Sequence, residues 1–453
     1  MSWGATGATP IEQPKAAVTR KGRFGSAPAT AEGDLRPVRD GREGEASTRM
    51  NAASLLRTDA VIVLLLALTV AVAALAPRIK LPVTVGLVLV GLAINVSGVF
   101  EIELSPDVVF YVLLPPVIFE ASFNLRKEDF FQDWKRTVSL AIPGVIIVTL
   151  IVGVGVHGLG QPWTMALLFA AIVAGTDPVS VVAMFRDLGA SARLTTIIEA
   201  ESIMNDGTGA VVFAVILALA TTGDATTGWA IGDFVWMCVV GLGVGAVLGY
   251  VALWLHRLID DWKAEFSISI ALAYGSFVMA QWLGASGVLA AMAAGFIVGN
   301  WGSRFRLEDQ TRELMRLTWE YGAFFVNGVV FLLIGLIMDW RTIVDDLALV
   351  VAAFALTLAA RAVIVYGYEG LARAGRGGAP ISWSHVLWWG GLRGTVALAL
   401  LLTVPADIPG LPTLRALVYG TVLCSLLMEG MTIPLLVNRL RPPADLTTWK
   451  GPR

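Results

Sequence analysis

Asp177 and Asp206 stand inside long apolar runs, the first in LLFAAIVAGTDPVSVVAMF and the second in TIIEAESIMNDGTGAVVFAVILALA. A carboxylate in the hydrocarbon layer of a membrane costs about 3 kcal/mol even on lenient insertion scales, so a chain that keeps several is using them. The chemistry open to such groups is to take up and release a proton or a small cation along an ion pathway.

Gly175 and Pro178 bracket Thr176-Asp177. Proline removes a backbone donor and glycine is flexible, so the helix should break there, and broken backbone in a bilayer must be buried in protein or line a cavity. Freed carbonyls, the Thr176 hydroxyl and the Asp177 carboxylate together offer the hard oxygen ligands of an alkali cation. The later run Gly390-Gly391-Leu392-Arg393-Gly394 should break likewise. If the two breaks cross, each half-helix end carries about half a unit of charge, which Asp177 offsets at positive ends and Arg393 at negative ends. A pair of packing kinks with a buried salt bridge is the alternative, although a kink alone needs neither charge.

Ser202 and Asp206 are four apart and share a helix face, while Glu201 and Asn205 share the neighbouring face, about 100° round. Ser202 and Asp206 can therefore face a cation site beside the break, while Glu201 needs a partner of its own. The lone mid-span Arg361 is the best candidate, and a structural ion pair is the favoured role for the two. Glu120 follows the Pro115-Pro116 bend, and pathway and structural roles stay open for it. Glu320 and Asn327 are expected to be hydrogen-bonding glue between helices. Gly241, Gly245 and Gly249, spaced by four in an apolar helix, form a close-packing face rather than a nucleotide loop. Asn95-Val96-Ser97 fits a glycosylation sequon but lies at a span end and is discounted.

The elements that must position these residues are read from composition. The 453 residues are 56% hydrophobic and 15% charged, with mean hydropathy +0.73, against about 25% charged in soluble domains. The chain is thus an all-α polytopic membrane protein. Residues 59–440 accommodate about thirteen spans of roughly 20 residues each and leave no room for a soluble catalytic domain. The fifth covers about 163–186, the sixth 194–222, the eleventh 342–370, the twelfth 383–404 and the thirteenth 413–438. Twenty Lys and Arg residues collect on one side of this arrangement, and only Arg341 and Arg415 on the other. The positive-inside rule then puts the C-terminus, with a short tail at 441–453, in the cytoplasm of a multi-pass cell-membrane protein. Residues 1–58 lack apolar periodicity and read as a disordered tail or a mis-called start, with Met50 a plausible initiator. Their nine basic residues dissent from the orientation, and a start at Met50 removes eight of them. Cys238 and Cys424 lie in apolar runs, which argues against a disulfide framework or a metal cluster. His157, His256 and His385 sit near span ends, against a histidine proton relay.

Two related halves joined through the seventh span make the fifth span match the twelfth and the sixth match the thirteenth. Gly175-Thr176-Asp177-Pro178 aligns with Gly391-Leu392-Arg393-Gly394, and ESIMNDG at 201–207 aligns with CSLLMEG at 424–430. Glu429 then occupies the repeat position of Asp206, which makes it a further candidate for the pathway.

Several ordered motifs, LLPPVIFEASFNL, GTDPVSVVAMF, EAESIMNDGTGAVVF, FFVNGVVFLLIGL and WWGGLRGTVALAL, resemble those of the sodium/proton antiporters, in the electroneutral branch of the monovalent cation:proton antiporters. The resemblance implies two inverted repeats with crossed broken helices, a six-helix core moving against a dimerisation domain, and a homodimer in the lipid bilayer. It implies that Asp206 alternately holds a proton or Na+, with Asn205 as neighbour and Thr176, Asp177 and Ser202 completing the cation site. Glu201 with Arg361 resembles the family's structural pair, and Arg393 the cation that balances the half-helices. Transported Na+ and H+ are the only small species implied: no cofactor, nucleotide or nucleic acid, and no enzymatic activity. The sequence departs from the family at Glu429, where glutamine is usual, and in its short tail, which puts the local charge balance and cytosolic regulation in question.

One exchanging carboxylate implies one proton for one cation, and Asn205 matters here because an aspartate in its place would add a second charge. Li+ or K+ in place of Na+ stays open, as does a cation channel. An organic-anion carrier needs more midplane cations than Arg361 and Arg393, and an intramembrane enzyme needs a nucleophile and base that are not paired anywhere in the spans.

Overall fold

The computed structural model describes residues 63–79, 81–98, 105–178, 181, 182, 184, 185, 191–222, 227–259, 261–302, 309–374 and 379–440. The segment 1–58 and the tail 441–453, both singled out in the sequence, lie outside these residues. Among the described residues every regular element is helical. Apolar runs with no water to bond their backbone must satisfy N–H and C=O internally, and a helix does so within one segment.

α1 (Val63–Ile79) turns by 120° into α2 (Val83–Ser97). α3 (Val108–Asn124) begins with a wide π-helical stretch, Val108–Leu113, and tightens to an α-helix at Leu114. The reason lies in Pro115 and Pro116, which cannot donate to the preceding turn. The Tyr274 hydroxyl donates to the carbonyl of Val112 instead, at 3.0 Å. α4 (Lys127–Ala141) is interrupted at Asp133 and is followed by α5 (Pro143–Gly158). α6 (Trp163–Ala174) stops at Gly175, and Val181 and Val182 are helical again. α7 (Ala192–Thr222), α8 (Thr227–His256), α9 (Trp262–Trp282), α10 (Gly287–Trp301) and α11 (Asp309–Ile337) are continuous. The short α12 (Trp340–Asp345), capped by Asp339, leads into α13 (Leu347–Ala374). α14 (Ile381–Trp389) and α15 (Thr395–Leu402) are two halves of one broken span. α16 (Leu411–Leu440) widens to a π-helix over Leu426–Gly430.

Helices α4–α7 and α13–α16 pack among themselves, as do α2, α3 and α8–α11, and α7 and α15 touch both groups. The second group closes on small residues. Gly245 of α8 lies against the backbone of Ala290 in α10, where a methyl group would overlap the carbonyl, and Gly241 and Gly249 extend the same seam. Asn95, the residue of the discounted sequon, donates from Nδ2 to the carbonyl of Leu336 and ties α2 to α11.

Length and apolarity alone identify six membrane-crossing helices among the described residues, or seven with the bent α1–α2 pair taken as one, against an expectation of thirteen. Breaks account for part of the difference, since α6 and the α14–α15 pair are each too short once halved. α3 and α10 are apolar but also below spanning length.

Candidate functional site

The breaks in the fifth and twelfth spans cross. The backbone N–H of Asp177 donates to the carbonyl of Leu392 at 2.7 Å, joining one break directly to the other. From that crossing the two charged side chains go to opposite helix ends. Asp177 Oδ2 accepts the backbone N–H of Thr395 at 3.2 Å and its hydroxyl at 3.1 Å, at the N-terminal, positive end of α15. Arg393 Nη1 donates to the carbonyls of Ala174 at 3.1 Å and Gly175 at 2.7 Å, at the C-terminal, negative end of α6. Each charge thus meets the half-helix pole of opposite sign. Gly394 is required by the approach, because a Cβ there would overlap the Asp177 carboxylate.

α7 supplies the other wall. The backbone N–H of Thr176 donates to Asn205 Oδ1 at 3.0 Å, and Asn205 Nδ2 donates to Thr176 Oγ1 at 2.7 Å and to Glu201 Oε1 at 3.0 Å. Thr176 and Ser202 share a hydrogen bond of 2.9 Å between their hydroxyls. Asn205 therefore holds the broken backbone of the fifth span against α7 with a neutral side chain. One turn behind, Arg361 of α13 forks onto both oxygens of Glu201 at 3.1 and 3.0 Å. Both side chains of that pair are buried.

Asp206 differs from its neighbours. It is 8% exposed, and among the described residues its carboxylate makes no hydrogen bond or ion pair. Gly175 faces it so closely that a Cβ at that position would lie 2.8 Å from Oδ1. A cavity of about 540 Å³ runs along α7 from Ala210, one turn beyond Asp206, to Thr221, between α3, α10 and the end of α15.

Of the expected site residues, the structure brings Thr176, Ser202 and Asn205 into one hydrogen-bonded group beside Asp206. Asp177, expected as a cation ligand, has Oδ2 committed to Thr395. Glu120 accepts from Asn124 at 2.6 Å within α3. Glu320 meets Arg316 of its own helix at 3.4 Å. Asn327, expected to tie helices together, leaves Oδ1 buried without a hydrogen-bond partner among the described residues. Glu429 accepts from Ser425 at 2.5 Å.

Thr395 and Ser425 are functional neighbours that sequence reasoning passed over. Thr395 directly follows Gly394, where a half-helix must start, and Ser425 lies inside the CSLLMEG repeat. A buried ionic group was missed as well. Arg136, counted only toward orientation, meets Glu369 at 2.6 Å and Asp133 at 2.7 Å, and Arg193 meets Asp133 at 2.5 Å. These contacts tie α4 to the start of α7 and the end of α13.

Comparisons with known proteins identify the family and the fold. Residues 63–439 match the family model described as sodium/hydrogen exchanger, transmembrane. The Na+/H+ antiporter ApNhaP of Aphanothece halophytica is 38% identical over 368 residues, covering 80% of this chain and 70% of that protein. The Na+/H+ antiporter NhaH of Halobacillus aidingensis is 31% identical over 394 residues, covering 84% of this chain and 97% of the relative. Among solved structures, the sodium proton antiporter MjNhaP1 from Methanocaldococcus jannaschii shares the fold, with a TM-score of 0.72 at 21% identity over 85% of this chain and 99% of the other. With crossed half-helices, a carboxylate beside them and a match over nearly every described residue, the chain belongs to the sodium/hydrogen exchanger family of transmembrane proteins.

Proposed function

We propose that this chain exchanges Na+ for H+ across the cell membrane, one for one, by competition at the Asp206 carboxylate. The observation that carries this is the contrast among the carboxylates around the crossing. Glu201 is held by Arg361, Asp177 by Thr395 and Glu429 by Ser425, whereas Asp206 makes no hydrogen bond or ion pair among the described residues. A bare carboxylate away from water is costly, so a proton or a cation must neutralise Asp206 before it crosses between the two faces. Since either one suffices, each displaces the other, and the cycle carries one proton against one cation.

Thr176 Oγ1, Ser202 Oγ and the Asp206 carboxylate are the oxygens we assign to the transported Na+, with Asp177 behind them and Asn205 holding the broken backbone in place. Arg393 balances the carbonyl end of α6. Residues 59–440 form the transport unit, in a homodimer whose C-terminus is cytoplasmic. The chain acts as a carrier and not as an enzyme. The curated relatives named Na+/H+ antiporters favour Na+ over K+ as the substrate.

The test is the purified protein in vesicles loaded with a pH-sensitive dye, challenged with Na+, Li+ or K+. Proton movement on adding Na+, absent from empty vesicles, is the expected result. Cation flux without proton movement would establish a channel, and a response to K+ but not to Na+ would overturn the substrate.

A further inference from the structure

Glu429 is a buried carboxylate near the crossing that Na+/H+ exchange at Asp206 leaves without a role. It lies in the π-helical stretch of α16, four residues after Ser425, and it is 2% exposed. Ser425 Oγ accepts the backbone N–H of Arg393 at 3.1 Å. Its own proton is then directed to Glu429 Oε2, at 2.5 Å. A chain of two hydrogen bonds thus runs from Glu429 through Ser425 into the break of the twelfth span, at the residue whose guanidinium rests on Ala174 and Gly175.

The first half of the molecule contains the counterpart. Ser202 aligns with Ser425 and Asp206 with Glu429, and each serine bonds the break of the preceding broken span: Ser202 at Thr176 Oγ1, Ser425 at Arg393 N. The difference lies in the carboxylate. Among the described residues Asp206 makes no hydrogen bond or ion pair, whereas Glu429 is closed onto its serine.

We propose that Glu429 is a positioning residue: by accepting the Ser425 hydroxyl it fixes the backbone of Arg393, and so keeps the guanidinium on the carbonyl of Gly175, the residue that faces Asp206. This rests on Asp206 being the exchanging group. A cation held near a carboxylate favours its charged form, so a loosened Arg393 lets protons compete better at Asp206 and moves exchange to higher pH. Gln at 429 keeps an acceptor for Ser425, whereas Ala leaves the hydroxyl without one.

The experiment compares the pH profile of Na+-driven proton flux in vesicles for the unaltered protein, E429A, S425A and E429Q, each checked by thermal unfolding in detergent. We expect E429A and S425A to shift the half-maximal pH upward together, by about half a unit or more, and E429Q to keep the original profile. Unshifted profiles in folded E429A or S425A overturn the proposal, and S425A still decides it if E429A does not fold. An E429Q profile displaced as far as that of E429A overturns it in favour of a direct charge effect. If the unaltered protein shows no Na+-driven flux, the exchange assignment itself fails, which is distinct from normal exchange with unmoved variants.

Discussion

Arg361 lays two nitrogens on the two oxygens of Glu201, and Nε and Nη2 also donate to the carbonyl of Leu387, at 3.2 and 2.9 Å. The guanidinium therefore joins α7, α13 and α14 at one point. Gly391 makes room for it, because a Cβ there would overlap the guanidinium. Removing either partner strands a buried charge, at a cost of roughly 3–5 kcal/mol. Glu201→Ala and Arg361→Ala should each lower the unfolding temperature in detergent, and the double substitution should be milder than the sum of the two. Strict additivity in that cycle would deny that the pair acts as a unit.

Asp206→Ala has the opposite character. With no hydrogen-bond or ion-pair partner to strand among the described residues, the variant should insert and unfold at close to the normal temperature, yet lose Na+-driven proton flux. Substantial exchange by a folded Asp206→Ala protein would remove the central residue of the proposed cycle. Gly175→Ala should also depress flux, since its methyl group would crowd Asp206 Oδ1.

The Asp177–Thr395 contact separates a half-helix cap from a cation ligand. Thr395→Val deletes the hydroxyl donor but keeps the backbone N–H, which should cost about 1 kcal/mol in detergent unfolding. Apparent Na+ affinity should stay near that of the unaltered protein. A large loss of Na+ affinity without loss of stability would mean that Asp177 or Thr395 touches the ion.

Much of this arrangement was legible before any coordinates. Gly-Thr-Asp-Pro in an apolar run is a local conflict that only a helix break resolves, and the four-residue spacing on α7 sorts Ser202 with Asp206 and Glu201 with Asn205. The destination of each charge was partly legible too, because poles of half-helices attract opposite charges wherever the halves cross. What stayed hidden depends on three-dimensional approach. Nothing in the spacing of Thr395 shows that Asp177 will reach it, and Arg136 reads as one more basic residue near a span end until Glu369 arrives beside it. Asn327 looks like interhelical glue by residue type, yet whether a donor meets its oxygen depends on side-chain packing that periodicity does not encode.

Glu369 offers a test of that hidden group. It is fully buried and accepts from Arg136 at 2.6 Å and from the backbone N–H of Ala379 at 2.8 Å. Glu313, by contrast, pairs with Arg316 on an exposed face. Glu369→Ala should therefore lower the unfolding temperature markedly, while Glu313→Ala should leave it almost unchanged. Equal effects would show that the buried network does not hold α4 against α13.

Stoichiometry is the most demanding consequence of the site. Asn205 supplies the hydrogen bonds that hold Thr176 without adding a charge beside Asp206, and Glu201 is neutralised by Arg361 in place. Asp177 answers the positive end of α15. In the proposed cycle one carboxylate is then left to alternate between proton and cation, so the charge carried inward should equal the charge carried outward. The balance point of exchange, measured in vesicles by opposing a Na+ gradient with a pH gradient, should not move when a membrane potential of either sign is imposed. Each net charge moved per cycle would be driven by about 2.3 kcal/mol for every 100 mV, so an electrogenic cycle would shift the balance point plainly. Such a shift would mean that a second carboxylate titrates during transport. Glu429→Gln would then identify it: restored voltage independence would make Glu429 the second carrier, and an unchanged shift would turn attention to Asp177.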